Sequence, residues 1–142
     1  IKSMAYIRTD EVKEIRKALK EQFGKALKFS VTRQHYSSVD VSIVSGDINF
    51  YDGSMDSTDK YNGAVHKFDG HSQINEYYPE YYGKHEQLLK DNAKIMKTAP
   101  AKADDGRAWY DNSDAMTDYF DTAYYTHINV GKWNKPYTYT GA

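Results

Sequence analysis

The feature that most constrains this chain is the segment from Thr9 to Ser45, in which a helical pattern passes directly into a strand pattern. Apolar residues in its first part recur at the spacing of one helical face: Val12, Ile15, Leu19 and Phe23. Thr9 is suited to cap the start of this helix, and Gly24 is suited to end it. The sequence therefore predicts an amphipathic helix over residues 9–24.

Apolar and polar residues then alternate with a period of two on either side of a short polar loop. The apolar members of the two runs are Leu27, Phe29 and Val31, followed by Val39, Val41 and Ile43. This period is typical of half-buried strands, and the loop between them predicts an antiparallel hairpin. Because one face of the hairpin is apolar, we expect the helix to pack on it.

Less regular patterns occupy the rest of the 142 residues. They predict strands over residues 61–68 and 124–130, a second helix over residues 84–97 and a brief helix over residues 114–120. Residues 136–142 are predicted to be a loose tail. The predicted fold class is α+β, as a single two-layer domain with helices packed on one face of an antiparallel sheet. The strands of that sheet are expected at residues 26–33, 39–45, 61–68 and 124–130.

The composition excludes several kinds of chemistry. The chain has no cysteine, which excludes disulfides, thiolate zinc sites and cysteine nucleophiles. Neither a GxxxxGKS/T phosphate loop nor a GxGxxG dinucleotide loop occurs, so we do not expect nucleotide-dependent catalysis. No cofactor is predicted. No apolar run approaches the roughly 18 residues needed to cross a bilayer. We therefore expect no membrane association, and the absence of cysteine is compatible with the predicted cytoplasmic, reducing location.

Three short motifs in the first third of the chain form a recognisable order. The string Ile15-Arg16-Lys17-Ala18-Leu19-Lys20 precedes Lys28-Phe29-Ser30-Val31 and then Val39-Asp40-Val41-Ser42. This order resembles the large polyvalent protein associated domain family numbered 29, whose pattern is IRKxLK, then KFSV, then a hydrophobic-Asp-Val-Ser strand. The resemblance covers about residues 9–46. It implies an origin in a phage or conjugative element, with a role in coping with host defences or handling DNA. It supplies no catalytic residues.

Charge is distributed unevenly, although the net charge at pH 7 is only −1. Residues 1–35 hold nine Lys and Arg against four Asp and Glu, whereas the remaining residues hold ten against sixteen. Four cations of the first helix fall on one flank and two more follow on the hairpin: Lys13, Arg16, Lys17 and Lys20, then Lys28 and Arg33. Because clustered cations bind phosphates by releasing counterions, these six residues are the predicted nucleic-acid-binding surface. A solvated helix face is the alternative.

A second candidate site is the HxxDxH cluster formed by His66, Asp69 and His71. Imidazole and carboxylate side chains are ligands for divalent transition metals. A further ligand would come from another part of the chain, with His35 and His127 as candidates. The cluster is therefore a candidate metal site, and histidines that bind no metal are the alternative, because five histidines in 142 residues is not an unusual number.

A calcium loop is a weaker possibility at Asp52, Ser54 and Asp56. Gly63 stands at its twelfth position, where calcium loops require a bidentate glutamate. We therefore interpret this stretch as a solvated turn.

Taken with the resemblance, these patterns favour a non-enzymatic accessory protein of a phage or mobile element that binds a host macromolecule. Ten of the fourteen tyrosines lie between Tyr77 and Tyr139, in the more acidic part of the chain, which suits a protein partner. The basic helix suits phosphate instead, so host protein and nucleic acid both stay open as partners. A metal-dependent enzyme at the HxxDxH cluster is the rival class.

Overall fold

The computed structural model describes residues 5–58, 61–76, 78–103, 106, 109–111 and 122–141. These residues form two α-helices, α1 (Thr9–Phe23) and α2 (Glu86–Thr98), and two 3₁₀ segments that flank α2, Pro79–His85 and Ala99–Lys102. The strands are β1 (Leu27–Gln34), β2 (Ser38–Gly46), β3 (Ser57–Thr58), β4 (Val65–His66), β5 (Ser72–Gln73), β6 (Tyr125–Val130) and β7 (Thr138–Tyr139). The predicted helix over residues 114–120 lies outside the described residues.

The first helix has the predicted extent but a different cap. Thr9 is the first helical residue, and Arg8 occupies the N-cap position that the sequence assigned to Thr9. The backbone N–H of Arg8 donates to Oε1 of Glu11 at 3.0 Å, so a side chain from the first turn satisfies the cap. At the other end Gly24 adopts a φ of 55°, and its N–H donates to the carbonyl of Lys20 at 2.8 Å. Gly24 therefore ends the helix, as predicted.

The helix packs on the hairpin, as the sequence predicts. Strands β1 and β2 pair antiparallel, with Val31 opposite Val41. Three residues of the apolar helical face are fully buried in the same core as the hairpin, and Phe23 is half-buried with its ring centroid 5.4 Å from that of Phe29. The buried helical residues are Val12, Ile15 and Leu19.

The sheet is mixed, which corrects the prediction that it is antiparallel. Strand β6 lies parallel to β2, so that Val41 neighbours Ile128 and Ile43 neighbours Val130. The strand order is β1-β2-β6-β5, and β7 pairs with the end of β2. A parallel pair needs a long crossover connection, and here the chain between β2 and β6 includes α2. The α+β class is confirmed.

The second helix also covers the sheet. It begins at Glu86, slightly later than predicted, and buries Leu89, Asn92 and Met96. It contacts β6, and it also contacts α1, which lies on β1. The two helices therefore cover the same face of the sheet, as the sequence predicts.

The predictions for two segments with less regular sequence patterns, residues 61–68 and 136–142, are wrong. Of residues 61–68, only β4 is a strand, and it pairs with β3 in a separate two-stranded sheet. Val65 is 60% exposed, so the alternating residues of this segment do not bury an apolar face. The predicted loose tail instead anchors to the sheet: Tyr137 is buried, its hydroxyl donates to the carbonyl of Ile48 at 2.7 Å, and β7 pairs with β2.

Candidate functional site

A groove of about 570 Å³ runs between α1 and the outer edge of β1. Four cationic side chains line it, together with three apolar residues of β1. We name it the basic groove and define it by Arg16, Lys20, Lys25, Lys28, Leu27, Phe29 and Val31.

The cations of the groove follow directly from the helix geometry. Ile15 and Leu19 point into the core, so Arg16 and Lys20, each one residue further along, lie on the border of the buried face. Residues four apart are neighbours on a helix surface, and these two cations therefore form one row. Strand β1 runs back beside that row and adds Lys28.

Strand β1 is the terminal strand of its sheet, and its outer side is unpaired among the described residues. Nη2 of Arg16 donates to the carbonyl oxygen of Val31 at 2.7 Å. This bond ties the helix to the strand edge. It also leaves the guanidinium of Arg16 at the wall of the groove.

The structure divides the six predicted cations into three groups. Arg16, Lys20 and Lys28 meet in the basic groove, whereas Lys13 and Lys17 are exposed on α1 and do not line it. Arg33 lies towards the opposite end of β1, where Nη1 donates to the carbonyl of Ile7 at 3.3 Å. Its guanidinium also stacks over the ring of Tyr36 at 4.5 Å.

Sequence reasoning missed Lys25 as a member of the groove. This lysine follows the helix stop at Gly24 and belongs to neither the helical nor the alternating pattern. The available signal was its position in the tight connection between the two elements, because such a connection brings its residues to the end of the groove between them.

The turn between β1 and β2 is held in an unusual conformation. His35 and Tyr36 have positive φ values of 51° and 62°, and the N–H of Ser37 donates to the carbonyl of Gln34 at 3.2 Å. Left-handed backbone is costly for a large non-glycine residue. It directs the chain so that Tyr36 is 63% exposed beside Arg33.

The predicted metal ligands do not form a metal site among the described residues. His66, Asp69 and His71 are all exposed, and no group of three His, Cys, Asp or Glu side chains in the described part of the chain is arranged to hold a metal ion. His66 belongs to the small β3–β4 sheet, whereas Oδ1 of Asp69 lies 3.4 Å from the backbone N of His71 in a local turn. The metal-dependent alternative therefore gains no geometric support.

Asp52, the first residue of the calcium-like stretch, is held by polar partners within the same chain. Its Oδ2 accepts from Nζ of Lys84 at 3.0 Å and lies 3.2 Å from Nε2 of the buried His85. Oδ1 accepts from the N–H of Ser54 at 2.9 Å. Burial alone raises the pKa of the Asp52 carboxyl, but the Ser54 and Lys84 hydrogen bonds and the charge of His85 outweigh it and hold the pKa far below its usual range. Because the carboxylate of Asp52 is bound by partners within the chain, the structure supports the interpretation of the calcium-like stretch as a turn.

A second cavity, of about 680 Å³, lies between the start of β6 and the end of α2. Glu76 projects into it and accepts from the hydroxyl of Thr126 at 3.1 Å. Burial raises the pKa of Glu76, and nearby Lys97, the Thr126 bond and His127 only partly offset this effect. Nζ of Lys97 also lies 4.4 Å from the ring centroid of Trp109. The cavity is lined by apolar and aromatic side chains together with charges of both signs, so it defines no single ligand class.

The fold and the groove together define a small α+β domain with one cationic face. The chain belongs to the family described as large polyvalent protein associated domain 29, whose model matches residues 7–103. The match extends well beyond the resemblance over residues 9–46 and includes α2. No curated protein and no solved structure gives a significant match to the chain.

Membership of this family indicates a phage-associated protein. The family is not a known enzyme family. Within the described residues, neither helix has the length and apolar character that crossing a membrane would demand.

Proposed function

We propose that this chain is a non-enzymatic accessory module of a phage or mobile element, and that its basic groove binds a macromolecule of the bacterial host. The proposed setting is the host cytoplasm, where the binding would counter a host defence. The observation that supports this proposal is the convergence of four cations on an apolar strip, beside a strand edge that no other described strand pairs with. Family membership supports the mobile-element context.

The lysines of the groove, Lys20, Lys25 and Lys28, form no ion pair with the described part of the chain. Arg16 and Lys20 are like charges four residues apart on a helix, an arrangement that destabilises the helix slightly. An acidic partner would remove that repulsion, so the pattern is better suited to binding than to stability.

Nucleic acid is the second candidate partner, since Lys13 and Lys17 extend the cationic flank of α1 beyond the groove. Phosphate binding would make the affinity fall steeply with salt, because each phosphate contact releases counterions. A protein partner that buries the apolar strip would retain more affinity as the salt concentration rises.

Capture from host lysate with matched variants tests the proposal. The groove variant is Lys20→Glu/Lys28→Glu, and the control is Lys67→Glu/Lys94→Glu, which makes the same charge change at two exposed lysines outside the groove. We expect the wild type and the control to retain the same host macromolecules, with or without nuclease, and the groove variant to lose them. Equal capture by all three proteins, each verified as folded by thermal unfolding, would reject the groove as the binding site.

A further inference from the structure

We infer that the partner of the basic groove presents an extended acidic segment that adds as a strand to the outer edge of β1. This inference rests on the proposed function and specifies how the partner binds. Peptides that bind in this way obtain affinity from main-chain hydrogen bonds and specificity from alternate side chains. Both kinds of contact have a counterpart in the groove.

The peptide groups of β1 point alternately towards β2 and away from it, and one hydrogen bond shows which residues point away. The carbonyl of Gln34 accepts from the N–H of Ser37 across the hairpin turn, so the peptide groups of Gln34 face β2. Because these directions alternate along a strand, those of Val31 face the opposite side, which has no paired strand among the residues that the structure describes. The bond from Arg16 to the carbonyl of Val31 confirms that direction independently.

The side chains around this edge match an acidic segment with apolar residues at alternate positions. A strand added at the usual spacing of about 4.8 Å would place every second side chain beside Phe29 and Val31, on the same face of the sheet. Lys20, Lys25 and Lys28 surround that strip. They would pair with acidic side chains of the same segment.

Arg16 has a specific part in this arrangement. In the free protein its guanidinium supplies the hydrogen bond that the carbonyl of Val31 would otherwise lack. An incoming N–H would take over that carbonyl and release the guanidinium, which binds a carboxylate with two parallel hydrogen bonds. A nucleic acid backbone has no regularly spaced N–H donors to make this exchange, so the geometry favours a peptide.

The first probe is a labelled eight-residue peptide that alternates glutamate and valine, with blocked ends. Two comparison peptides have the same sequence but carry N-methyl groups on every second amide, one peptide at the odd-numbered residues and the other at the even-numbered residues. Each peptide therefore lacks the N–H donors along one of its two edges. We expect the peptide that lacks the donors facing β1 to bind at least tenfold more weakly, which is about 1.4 kcal/mol, and the other to bind nearly as well as the parent. We also expect the unmodified peptide to slow hydrogen exchange at the amide of Val31.

Several results would overturn strand addition. These are no binding of the alternating peptide at millimolar concentration, equal binding of both methylated peptides and the parent, or unchanged exchange at Val31. Tighter binding of a twelve-nucleotide oligo-dT, lost in Lys20→Glu/Lys28→Glu, would also overturn it and assign the groove to nucleic acid. In each case lysate capture that still depends on the groove lysines would leave the proposed function standing. Capture that is indifferent to those lysines would remove both.

Discussion

Nη2 of Arg16 lies 2.7 Å from the carbonyl oxygen of Val31 and donates a hydrogen bond to it. A cation on the exposed flank of α1 thus reaches across the groove to the edge of the sheet. Unpaired strand edges promote unwanted association between chains, and natural proteins often cover them with charged side chains. In this molecule the same arginine both covers the edge and lines the candidate binding site.

Replacing Arg16 by alanine should lower the free energy of unfolding by about 1 kcal/mol, the usual scale for one lost hydrogen bond. Urea unfolding of Arg16→Ala measures the change, with Lys17→Ala as the control. Lys17 is an exposed neighbour outside the groove, so its loss should alter stability by less than about 0.5 kcal/mol. Equal effects of the two substitutions would show that the bond to Val31 contributes nothing measurable.

The stability of variants at Tyr36, in the hairpin turn, should depend on backbone conformation more than on the size of the side chain. Tyr36 has a φ of 62°, so Tyr36→Val, which introduces a β-branched residue there, should cost about 1–2 kcal/mol. Tyr36→Gly should stay within about 0.5 kcal/mol of the wild type, because relief of strain offsets the flexibility of glycine and the lost contact with Arg33. Thermal unfolding of both variants gives the order, and similar losses for both would contradict a left-handed turn.

Asp52 should contribute stability at neutral pH that disappears in acid. Its pKa is lower in the folded protein than the ordinary value of 3.8, so its contribution is complete above that value and is lost as the pH falls towards the folded pKa. We expect Asp52→Asn to cost about 1 kcal/mol at pH 7, the upper end for a partly exposed charge pair. Denaturant unfolding from pH 7 to pH 2 should show this difference shrinking below about pH 4. Glu80→Gln, which removes one carboxylate at an exposed side chain, is the matched control.

The contribution of Glu76 to stability should change with pH in the opposite direction to that of Asp52. Burial raises its pKa above the ordinary value of 4.5, so ionisation of this side chain destabilises the folded protein as the pH rises through the folded pKa. Glu76→Gln keeps an acceptor for the hydroxyl of Thr126 and should therefore increase the free energy of unfolding at pH 7. The gain should vanish below about pH 4, where the wild-type carboxyl is protonated in both states. A variant that is less stable than the wild type at pH 7 would show that attraction to Lys97 outweighs desolvation.

Local patterns predicted the elements that lie close together in the sequence. The spacing of Ile15 and Leu19 and the alternation of Val39 and Val41 each report a buried face, and the short connections leave little choice of neighbour. The parallel partner of β2 could not be predicted in this way. Alternation in residues 124–130 shows which side chains are buried, but it does not show the strand direction or which strand lies alongside.

The misassigned segments have a common physical cause. Alternation at Val65 resembles that of a strand, but burial depends on a facing apolar surface that the local sequence does not contain. Tyr137 presents the reverse case, because a single aromatic residue shows no period. It is nevertheless buried against Phe50, with the ring centroids 4.9 Å apart.

The candidate site was predicted in part. The helical wheel placed Arg16 and Lys20 together, and strand alternation added Lys28. Arg33 was grouped with them, but at about 3.3 Å per residue the five positions from Lys28 to Arg33 span roughly 17 Å, which moves Arg33 beyond the groove.

The parallel pairing of β2 with β6 also affects the order in which the chain can fold. Contacts between residues that are near in sequence form faster than those that close a long loop, so α1 and the hairpin can associate before β6 arrives. Until β6 pairs with it, β2 of a newly made chain has unpaired peptide groups along the edge that β6 will occupy. The edge of β2 that later pairs with β6 therefore needs protection from aggregation while the chain is being synthesised.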